Sequence, residues 1–462
     1  MEIFIDPTST TGLTNQVFEE IRSGILEGRV GPGERLPSTR ELAVTLGVSR
    51  HTVTTAFQRL SAEGFIEGRR GGGTIVSDLS GFRAVLDRSE RALDSSGLDE
   101  EAMPAFDLRP GTPDPRLFPT AEWRRYARWA VDQHDATYGD PAGVADLRRV
   151  LARWVARSRG VDASFRQLIV TSGAQQAFFL LIRACTEPGD VIAMEDPGYN
   201  RFRRMSEANG LEVVPIPVDS EGLVVDAIPP NVKLVHVTPS HQFPTGVTMS
   251  MARRLDLLSM AHARGVLIVE DDYDSEFRYV DRPLEPLYRL DRTGSVAYVA
   301  TFSKTLSPAL RLGYVVVPQS LHEQVLEVRR QVDWAPSHVD QLTLRGYIAD
   351  GHLEGHLRRT RRIYMGRQQR MTAFLERAAA QGVLRPAASN AGLHISAGLS
   401  PALEEAKIMA RLAERGVAIE GYAEYSSIQQ ADGGLVFGFG LVDSDQLEEA
   451  IRIVADVIGV DD

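Results

Sequence analysis

Apolar side chains recur at helical spacing near the start of the chain, where Val17, Ile21 and Ile25 share one face. The pattern predicts helices over residues 13–28, 39–46 and 50–63, followed by two short strands within residues 65–76. A basic, glycine-rich turn joins the two strands, which is typical of a β-hairpin. Three helices followed by a hairpin predict a winged helix-turn-helix.

Helix-capping residues support these boundaries. Ser38 precedes the second helix and is followed three residues later by Glu41, which is the spacing of a capping box. Gly47 ends that helix, and Ser49 is placed to cap the third. We therefore expect the helix-turn-helix to be centred on Gly47.

A different pattern begins after residue 104, where continuous apolar runs alternate with helical stretches. The runs cover residues 168–170, 191–194, 234–237, 266–269, 296–300 and 314–317. Because continuous hydrophobicity is typical of strands buried on both faces, the alternation predicts a mostly parallel sheet in a three-layer α/β domain. The pattern is largely helical from about residue 323. A smaller α+β segment, with strands near residues 383–395 and 435–439, ends the chain.

The stretch between these regions, residues 78–103, holds seven acidic residues, three arginines and few large apolar groups. It buries too little apolar surface to pack, so we expect a flexible linker. The expected organisation is a winged helix-turn-helix over residues 1–77, the linker over residues 78–103, and the α/β domain over residues 104–462.

Charge and composition limit the kinds of partner that the protein is expected to bind. The net charge of −11 argues only weakly against nucleic acid, because Arg40, Arg50, Arg69 and Arg70 can form a local basic face in the winged region. The single cysteine, Cys185, excludes an internal disulfide and favours a reducing cytoplasm. No apolar run approaches a membrane span, and the ten histidines show no metal-ligand spacing, so neither a membrane nor a metal is expected.

Lys304 is one of three lysines among 51 lysine and arginine residues. A lysine in such a chain is a candidate for work that arginine cannot do, such as forming a Schiff base with a carbonyl. It follows the predicted strand 296–300, and open α/β sheets place ligands at the carboxyl ends of strands. Ser303 and Arg311 nearby are good phosphate partners. A solvated loop lysine is the better interpretation for Lys233 and Lys407.

Other strand ends carry groups that suit pyridoxal phosphate. Asp271 follows the predicted strand 266–269 and can hold a protonated pyridine nitrogen, and Tyr273 can donate to the ring's phenolic oxygen. Residues 171–175 turn from a strand into a helix, where free backbone amides can cradle a phosphate. Each motif alone is weak, but their placement at the strand ends of one domain makes the combination strong.

These motifs carry a resemblance to known families. Residues 106–458 resemble a fold-type-I pyridoxal-phosphate aminotransferase, and residues 10–77 resemble the GntR-type winged helix, whose signature covers residues 35–43 and 46–53. The two in tandem are typical of the MocR family of transcriptional regulators, of which GABA-responsive regulators are members. Residues 238–246 and 270–277 are highly specific to that family.

The resemblance implies roles for individual residues. In the α/β domain, Lys304 forms the Schiff base, Asp271 pairs with the pyridine nitrogen, and Tyr273 faces the phenolic oxygen. Tyr199 stacks on the ring, and the phosphate is bound by the amides of Ala174 and Gln175 together with Ser303 and Arg311. Arg201 meets an effector's carboxylate, and Tyr138 reaches the partner subunit's phosphate in a homodimer. In the winged region, Ser49, Arg50, His51, Thr52 and Thr54 reach bases and phosphates, Arg40 contacts phosphate, and Arg69 and Arg70 suit the minor groove. Arg59 is interpreted as ordinary surface.

Two departures from the aminotransferase pattern matter. Phe243 stands where aminotransferases place an asparagine against the phenolic oxygen, and a phenyl ring cannot make that hydrogen bond. Gly440 stands where an arginine is expected to bind the substrate carboxylate, so a bidentate clamp is missing. These changes favour pyridoxal phosphate itself, as in PdxR-type members that control its synthesis, or an amine as the effector.

Three functions remain to be weighed. A regulator that uses an aminotransferase-like domain as a sensor fits best, and in it no residue is assigned a catalytic role, although half-transamination stays open. A working aminotransferase with an accessory DNA-binding domain is the alternative, and the winged helix, Phe243 and Gly440 argue against it. A DNA-binding protein with an inert second domain is disfavoured by Lys304 and its neighbours.

Overall fold

The computed structural model describes residues 3–6, 9, 11–69, 73–78, 104–133, 137–279, 285–387, 389, 391–427 and 433–461. The chain divides into two compact units, Met1–Ala102 and Met103–Asp462. The predicted linker lies outside the described residues apart from Asp78, and so does Arg70 of the predicted DNA-contacting set.

The first unit is a winged helix-turn-helix, as predicted. Its elements are α1 (Leu13–Leu26), α2 (Thr39–Leu46), α3 (Arg50–Ala62), β1 (Ile66–Arg69) and β2 (Gly73–Val76). β1 and β2 pair antiparallel. The three helices bury an apolar stripe that includes Val17, Ile21 and Leu60, each without exposed surface, so the helical periodicity reflects a real core.

The predicted caps fix where α2 and α3 begin. Ser38 Oγ accepts from the Glu41 amide at 3.2 Å, and Glu41 Oε2 accepts from the Ser38 amide at 2.9 Å, which completes the capping box. Ser49 Oγ accepts from the Thr52 amide at 3.1 Å. Gly47 ends α2 in the left-handed conformation, with φ of 66°. The turn between the two helices is therefore centred on Gly47.

The second unit alternates strands with helices. Its helices are α4 (Thr120–Gln133), α5 (Ala145–Arg159), α6 (Ala174–Cys185), α7 (Asn200–Ala208), α8 (Met251–Arg264), α9 (Leu287–Leu290), α10 (His322–Val332), α11 (His338–Ala349), α12 (His352–Ala380), α13 (Glu405–Glu414) and α14 (Ser444–Ile458). Its strands are β3 (Phe106–Asp107), β4 (Leu168–Thr171), β5 (Val191–Asp196), β6 (Glu212–Asp219), β7 (Gly222–Leu223), β8 (Val232–Val237), β9 (Leu267–Asp271), β10 (Val296–Thr301), β11 (Gly313–Val316), β12 (Leu384–Pro386), β13 (His394–Leu399), β14 (Val417–Ala418), β15 (Glu420–Gly421) and β16 (Gly434–Gly438).

An eight-stranded sheet in the order β4-β11-β10-β9-β8-β5-β6-β7 forms the centre of this unit. All six predicted apolar runs are strands of this sheet, and the mostly parallel α/β fold is confirmed. The sequence pattern did not predict β6, because its two prolines, Pro215 and Pro217, argue against a strand. β7 pairs with β6 only at Val218 and Asp219, so β6 is an open edge over the rest of its length, where missing amide donors are tolerated.

The sheet brings several strand ends to one edge. β9 and β10 are parallel, and β11 runs antiparallel to both β10 and β4, so β4, β9 and β10 share one direction. Their carboxyl ends therefore meet at one edge of the sheet. β4 leads there into α6, β9 ends at Asp271, and β10 leads into Lys304.

The remaining chain packs beside this edge. The 29-residue helix α12 is followed by a sheet of order β12-β13-β16-β15, while β3 pairs in parallel with β14. The predicted strands near residues 383–395 and 435–439 thus correspond to β12 and the start of β13, and to β16. Within the described ranges, no helix combines the length and the apolar run needed to cross a bilayer.

Candidate functional site

A cavity of about 700 Å³ opens at the carboxyl edge of the eight-stranded sheet. All the predicted cofactor and effector residues except Tyr138 line it: Lys304, Asp271, Tyr273, Tyr199, Ala174, Gln175, Ser303, Arg311 and Arg201. The cavity thus brings together residues that lie more than 100 positions apart in the chain.

Lys304 lies on the wall of this cavity, three residues after β10. Its Nζ donates a hydrogen bond to the carbonyl oxygen of Gly111. Gly111 has φ of 91°, a left-handed conformation that favours glycine, and a Cβ there would lie 2.8 Å from Nζ, so a larger residue would also displace the amine. Burial lowers the pKa of Lys304, although the nearby carboxylates of Asp274 and Asp271 raise it. A lowered pKa increases the fraction of neutral amine, which is the nucleophilic form.

Asp271 ends β9 with an unsatisfied carboxylate. Among the described residues its buried Oδ1 has no hydrogen-bond partner, and Oδ2 lies 3.8 Å from Nε2 of His236, too far for a hydrogen bond. Burial raises the pKa of Asp271. His236 is itself fixed by stacking on Phe202, with ring centroids 4.2 Å apart. A buried acceptor without a donor is suited to a ligand that brings its own N–H.

An anion cradle forms where β4 turns into α6. Gly173 precedes the helix and no side chain caps it, so the amides of Ala174 and Gln175 point outward at its positive end. Arg311 Nη2 donates to the carbonyl oxygen of Ser172 at 2.7 Å. A Cβ on Gly173 would lie 3.1 Å from the same nitrogen, so the glycine lets the guanidinium approach the helix.

Ser303 lies beside Arg311 on the cavity wall, and its Oγ is 2.9 Å from Oγ1 of Thr301. The cradle therefore combines a hydroxyl, a guanidinium and a helix N-terminus. These are the groups that phosphate-binding sites use.

Aromatic side chains also line the cavity. The phenyl ring of Phe243 packs edge-on against Tyr199, Tyr273 and Tyr425, with centroids 6.2, 5.9 and 4.9 Å away. The Tyr273 hydroxyl lies 3.0 Å from Nδ1 of His241. Phe243 therefore stands in the cavity wall, as expected, and presents a ring without hydrogen-bonding groups.

A histidine cluster that sequence spacing did not indicate lies beside this wall. Nδ1 of His241 is 3.0 Å from Asp274 Oδ2, and ligand atoms of His241, Asp274 and His394 all lie within 4.8 Å of one another. Nε2 of His394 is 3.1 Å from the carbonyl oxygen of Pro244, and burial lowers the pKa of His394 well below its usual value. The local hydrogen bonds account for this cluster, and we assign no metal to it.

Gly440 was expected to stand where an arginine would bind the substrate carboxylate, and this predicted position is wrong. Gly440 does not line the cavity, and a Cβ there would collide with the backbone oxygen of Thr112. Val436 on β16 pairs in register with Glu420, which does line the cavity, so the two side chains share one face of the sheet. Neither Gly440 nor Val436 supplies a guanidinium.

Glu420 and His236 are site residues that sequence reasoning missed. His236 had a signal, since it is a polar residue inside the apolar run 234–237. Glu420 had none, because it lies on a two-residue strand, Glu420–Gly421, outside any recognised motif. Only the folded chain brings it to the cavity.

Tyr138 lies apart from the cavity of its own chain. It is 85% exposed, and its ring packs against Trp334 with centroids 5.8 Å apart. Trp129, Val131 and Val332 are further exposed apolar side chains of the same unit. The predicted role of Tyr138 therefore needs a second copy of the chain.

The predicted DNA-contacting residues lie mainly around the start of α3. Ser49, Arg50 and His51 are exposed there, Thr52 and Thr54 are half-buried, Arg40 is exposed on α2, and Arg69 is exposed at the end of β1. Arg59 differs from these, because its Nη1 donates to Asn15 Oδ1 at 2.6 Å and its guanidinium lies 4.1 Å from the ring centre of Phe18. The first unit therefore offers exposed arginines beside a helix start, with Arg59 engaged internally.

Comparison with known families matches both units. Residues 13–76 match the family of bacterial regulatory proteins of the gntR type, and residues 112–452 match aminotransferase class I and II. The kynurenine aminotransferase of Pyrococcus horikoshii, solved with PMP, superposes with a TM-score of 0.71 at 27% identity. The match covers 83% of this chain and 98% of that one.

Two curated relatives match nearly the whole chain. The chain is 34% identical to the probable rhizopine catabolism regulatory protein MocR of Rhizobium meliloti, over 97% of this chain and 94% of the relative. It is also 34% identical to the pyridoxine biosynthesis transcriptional regulator PdxR of Corynebacterium glutamicum, over 100% of this chain and 99% of the relative. With a GntR-type winged helix followed by an aminotransferase-like fold, the chain belongs to the MocR family of transcriptional regulators.

Proposed function

We propose that this chain regulates transcription by binding operator DNA through its first unit and pyridoxal phosphate through the cavity at Lys304. The observation that carries the proposal is the meeting of three groups in one cavity. They are a lysine with a lowered pKa, a buried carboxylate without a donor, and an uncapped helix N-terminus beside an arginine. These match the aldehyde, the pyridine nitrogen and the phosphate of the cofactor, so the residues present fit it.

When bound, pyridoxal phosphate supplies an aldehyde for a primary amine and a ring that withdraws electrons. Lys304 presents that amine, and Asp271 holds a proton on the pyridine nitrogen. The other roles are that Tyr199 packs on the ring, Tyr273 lies toward the phenolic oxygen, and Ala174, Gln175, Ser303 and Arg311 bind the phosphate. Phe243 excludes water without donating a hydrogen bond, which distinguishes this pocket from one built for transamination.

The proposed signal is pyridoxal phosphate itself, in a PdxR-like control of vitamin B6 synthesis, or an amine or amino acid that enters the same cavity. Similarity to a pyridoxine biosynthesis regulator supports the first. Arg201 supports the second, since it lines the cavity and pairs with no carboxylate among the described residues. Because cofactor and effector share one cavity, occupancy of that cavity is the quantity that the protein senses.

On DNA, we propose that α3 enters the major groove and the hairpin approaches the minor groove. Ser49, Arg50, His51, Thr52 and Thr54 then reach bases and phosphates, Arg40 binds phosphate, and Arg69 and Arg70 follow the minor groove. A homodimer presents two such units, so its operator contains two half-sites. The exposure of Tyr138 supports the homodimer, because the resemblance assigns this residue to the partner subunit's phosphate and its side chain is 85% exposed.

The alternative function is a working aminotransferase with an accessory DNA-binding domain. The lysine, the carboxylate and the anion cradle in one cavity favour it, and Phe243 argues against it. The test is a turnover assay of the cofactor-loaded chain with amino acids and keto acids. Sustained turnover contradicts the sensor role, while a single stoichiometric conversion at most is expected.

A further inference from the structure

Glu420 lines the same cavity as Lys304 but belongs to a different sheet. On β15 it pairs with Val436, which in turn pairs with Ser396 on β13. Ser396 Oγ donates to the carbonyl oxygen of Pro244, next to Phe243, at 2.8 Å. Since paired residues share a face, Glu420 points to the side of this sheet that meets the aromatic wall.

The Glu420 carboxylate forms no ion pair among the described residues, although Arg109 and Arg201 are near enough to lower its pKa. Within the described part of the chain, no lysine, arginine or histidine nitrogen lies within 4 Å of it, and the hydroxyl of Tyr425 is its hydrogen-bond donor. Burial, helped by neighbouring Glu424, raises the pKa of Glu420 to about 7. A half-buried carboxylate in this state is stabilised by any ligand that brings a positive charge.

Arg201 provides the opposite charge in the same cavity. Its neighbour Arg204 pairs with Glu424, with 3.8 Å between Nη2 and Oε1, whereas Arg201 has no carboxylate partner among the residues described. Arg201 and Glu420 are both close enough to shift the pKa of Lys304, Arg201 downward and Glu420 upward. Among the described residues, Arg201 and Glu420 thus offer the cavity a cation and an anion that form no ion pair, both near the amine of Lys304.

The aromatic surface beside Glu420 suits an ammonium group. The rings of Phe243 and Tyr425 meet edge-on at 4.9 Å beside Glu420. Aromatic faces attract cations, and the effect strengthens where water is excluded. Aromatic rings are one of the means by which proteins recognise ammonium groups, and the Glu420 carboxylate adds an opposite charge beside these rings.

We propose that the effector is an amino acid with a second ammonium group on its side chain, its carboxylate bound by Arg201 and its terminal ammonium by Glu420. This inference rests on the proposed cofactor-dependent regulator. We assign Glu420 to the side-chain ammonium rather than to the α-amino group, because a carboxylate partner raises the pKa of an amine and lowers the fraction that can react with an aldehyde. Glu420 is thus a specificity-determining residue for the effector's far end.

The test is calorimetric titration of the full-length, pyridoxal-phosphate-loaded protein with L-ornithine and L-lysine. L-norvaline and L-norleucine have the same carbon chains without the terminal amine, so each pair isolates one ammonium group. We expect the diamino acids to bind at least about tenfold more tightly. Glu420→Gln should remove that preference while the visible absorption of the cofactor stays, and the exposed Glu414→Gln should keep it.

Equal affinities within each pair, no binding of either diamino acid, or a preference that survives Glu420→Gln would overturn the inference. These outcomes differ from a failure of the proposed function. A protein without cofactor absorption, or with operator affinity that ignores pyridoxal phosphate, contradicts the regulator itself. A protein that shows cofactor absorption and an operator affinity that depends on pyridoxal phosphate, but binds the paired amino acids with equal affinity, contradicts only the role of Glu420.

Discussion

Asp271 and His236 lie side by side beneath the cavity, with Oδ2 3.8 Å from Nε2, yet they make no hydrogen bond to each other. Both ring nitrogens of His236 and Oδ1 of Asp271 are buried without partners among the described residues. Burying unsatisfied polar atoms costs about 1–3 kcal/mol each, so this arrangement is stable only if a ligand or water supplies what is missing. The carboxylate faces the cavity, and a protonated ring nitrogen is the donor that fits it.

Asp271→Asn should weaken binding of pyridoxal phosphate at least about tenfold, because a neutral amide replaces a charge-assisted acceptor. Fluorescence titration of the apoprotein measures the change. Asp256→Asn, on the exposed face of α8, is the matched control and should bind normally. Unchanged affinity in Asp271→Asn would show that the carboxylate does not hold the cofactor.

Lys304→Ala should abolish the visible absorption of the protein mixed with pyridoxal phosphate, since alanine offers no amine to the aldehyde. Lys407→Ala is the control, because Lys407 is exposed and pairs with Glu404 at 2.8 Å. An absorption spectrum that persists in Lys304→Ala and vanishes in Lys407→Ala would move the linkage elsewhere.

Arg40→Ala should weaken operator binding for all sequences alike and reduce the slope of log affinity against log salt by about 1, as expected for one lost phosphate contact. Arg59→Ala should leave the slope unchanged, because Arg59 is occupied by Asn15 and Phe18. Anisotropy titrations over a range of salt concentrations compare the two. Equal slopes in Arg40→Ala and the unaltered protein would remove Arg40 from the interface.

Most helices and strands of both units could be predicted from the sequence, because the patterns that indicate them involve only neighbouring residues. The capping box at Ser38 and Glu41 and the continuous apolar runs of the central strands depend on neighbouring residues alone. β6 did not follow, since Pro215 and Pro217 conceal an edge strand that only pairing with β5 reveals.

Only some of the residues that line the cavity could be predicted from the sequence. Lys304 and Asp271 stand at strand ends, and parallel strands bring such ends together. Glu420 and Gly111 reach the cavity through pairings between distant segments, which no spacing rule shows. Gly440 was misplaced because register along β16, not motif order, decides which side chain faces the cavity.

Effector binding should depend on pH through Glu420. Its pKa of about 7 leaves the carboxyl group protonated at lower pH, so L-ornithine should bind about tenfold more weakly at pH 6 than at pH 8. The other groups that influence this carboxyl group are Glu424, Arg109, Asp107 and Arg201. They remain in Glu420→Gln, so calorimetry on that variant should give a flat profile. A pH dependence that persists in the variant would show that Glu420 is not its source.

The central claim is that occupancy of the cavity at Lys304 controls DNA binding by the winged helix-turn-helix. Footprinting of the operator at fixed salt, with and without pyridoxal phosphate, tests it most directly, using Lys304→Ala in parallel. We expect pyridoxal phosphate to change the protected region or the operator affinity of the unaltered protein and to leave Lys304→Ala unaffected. Identical footprints and affinities with and without pyridoxal phosphate would contradict it.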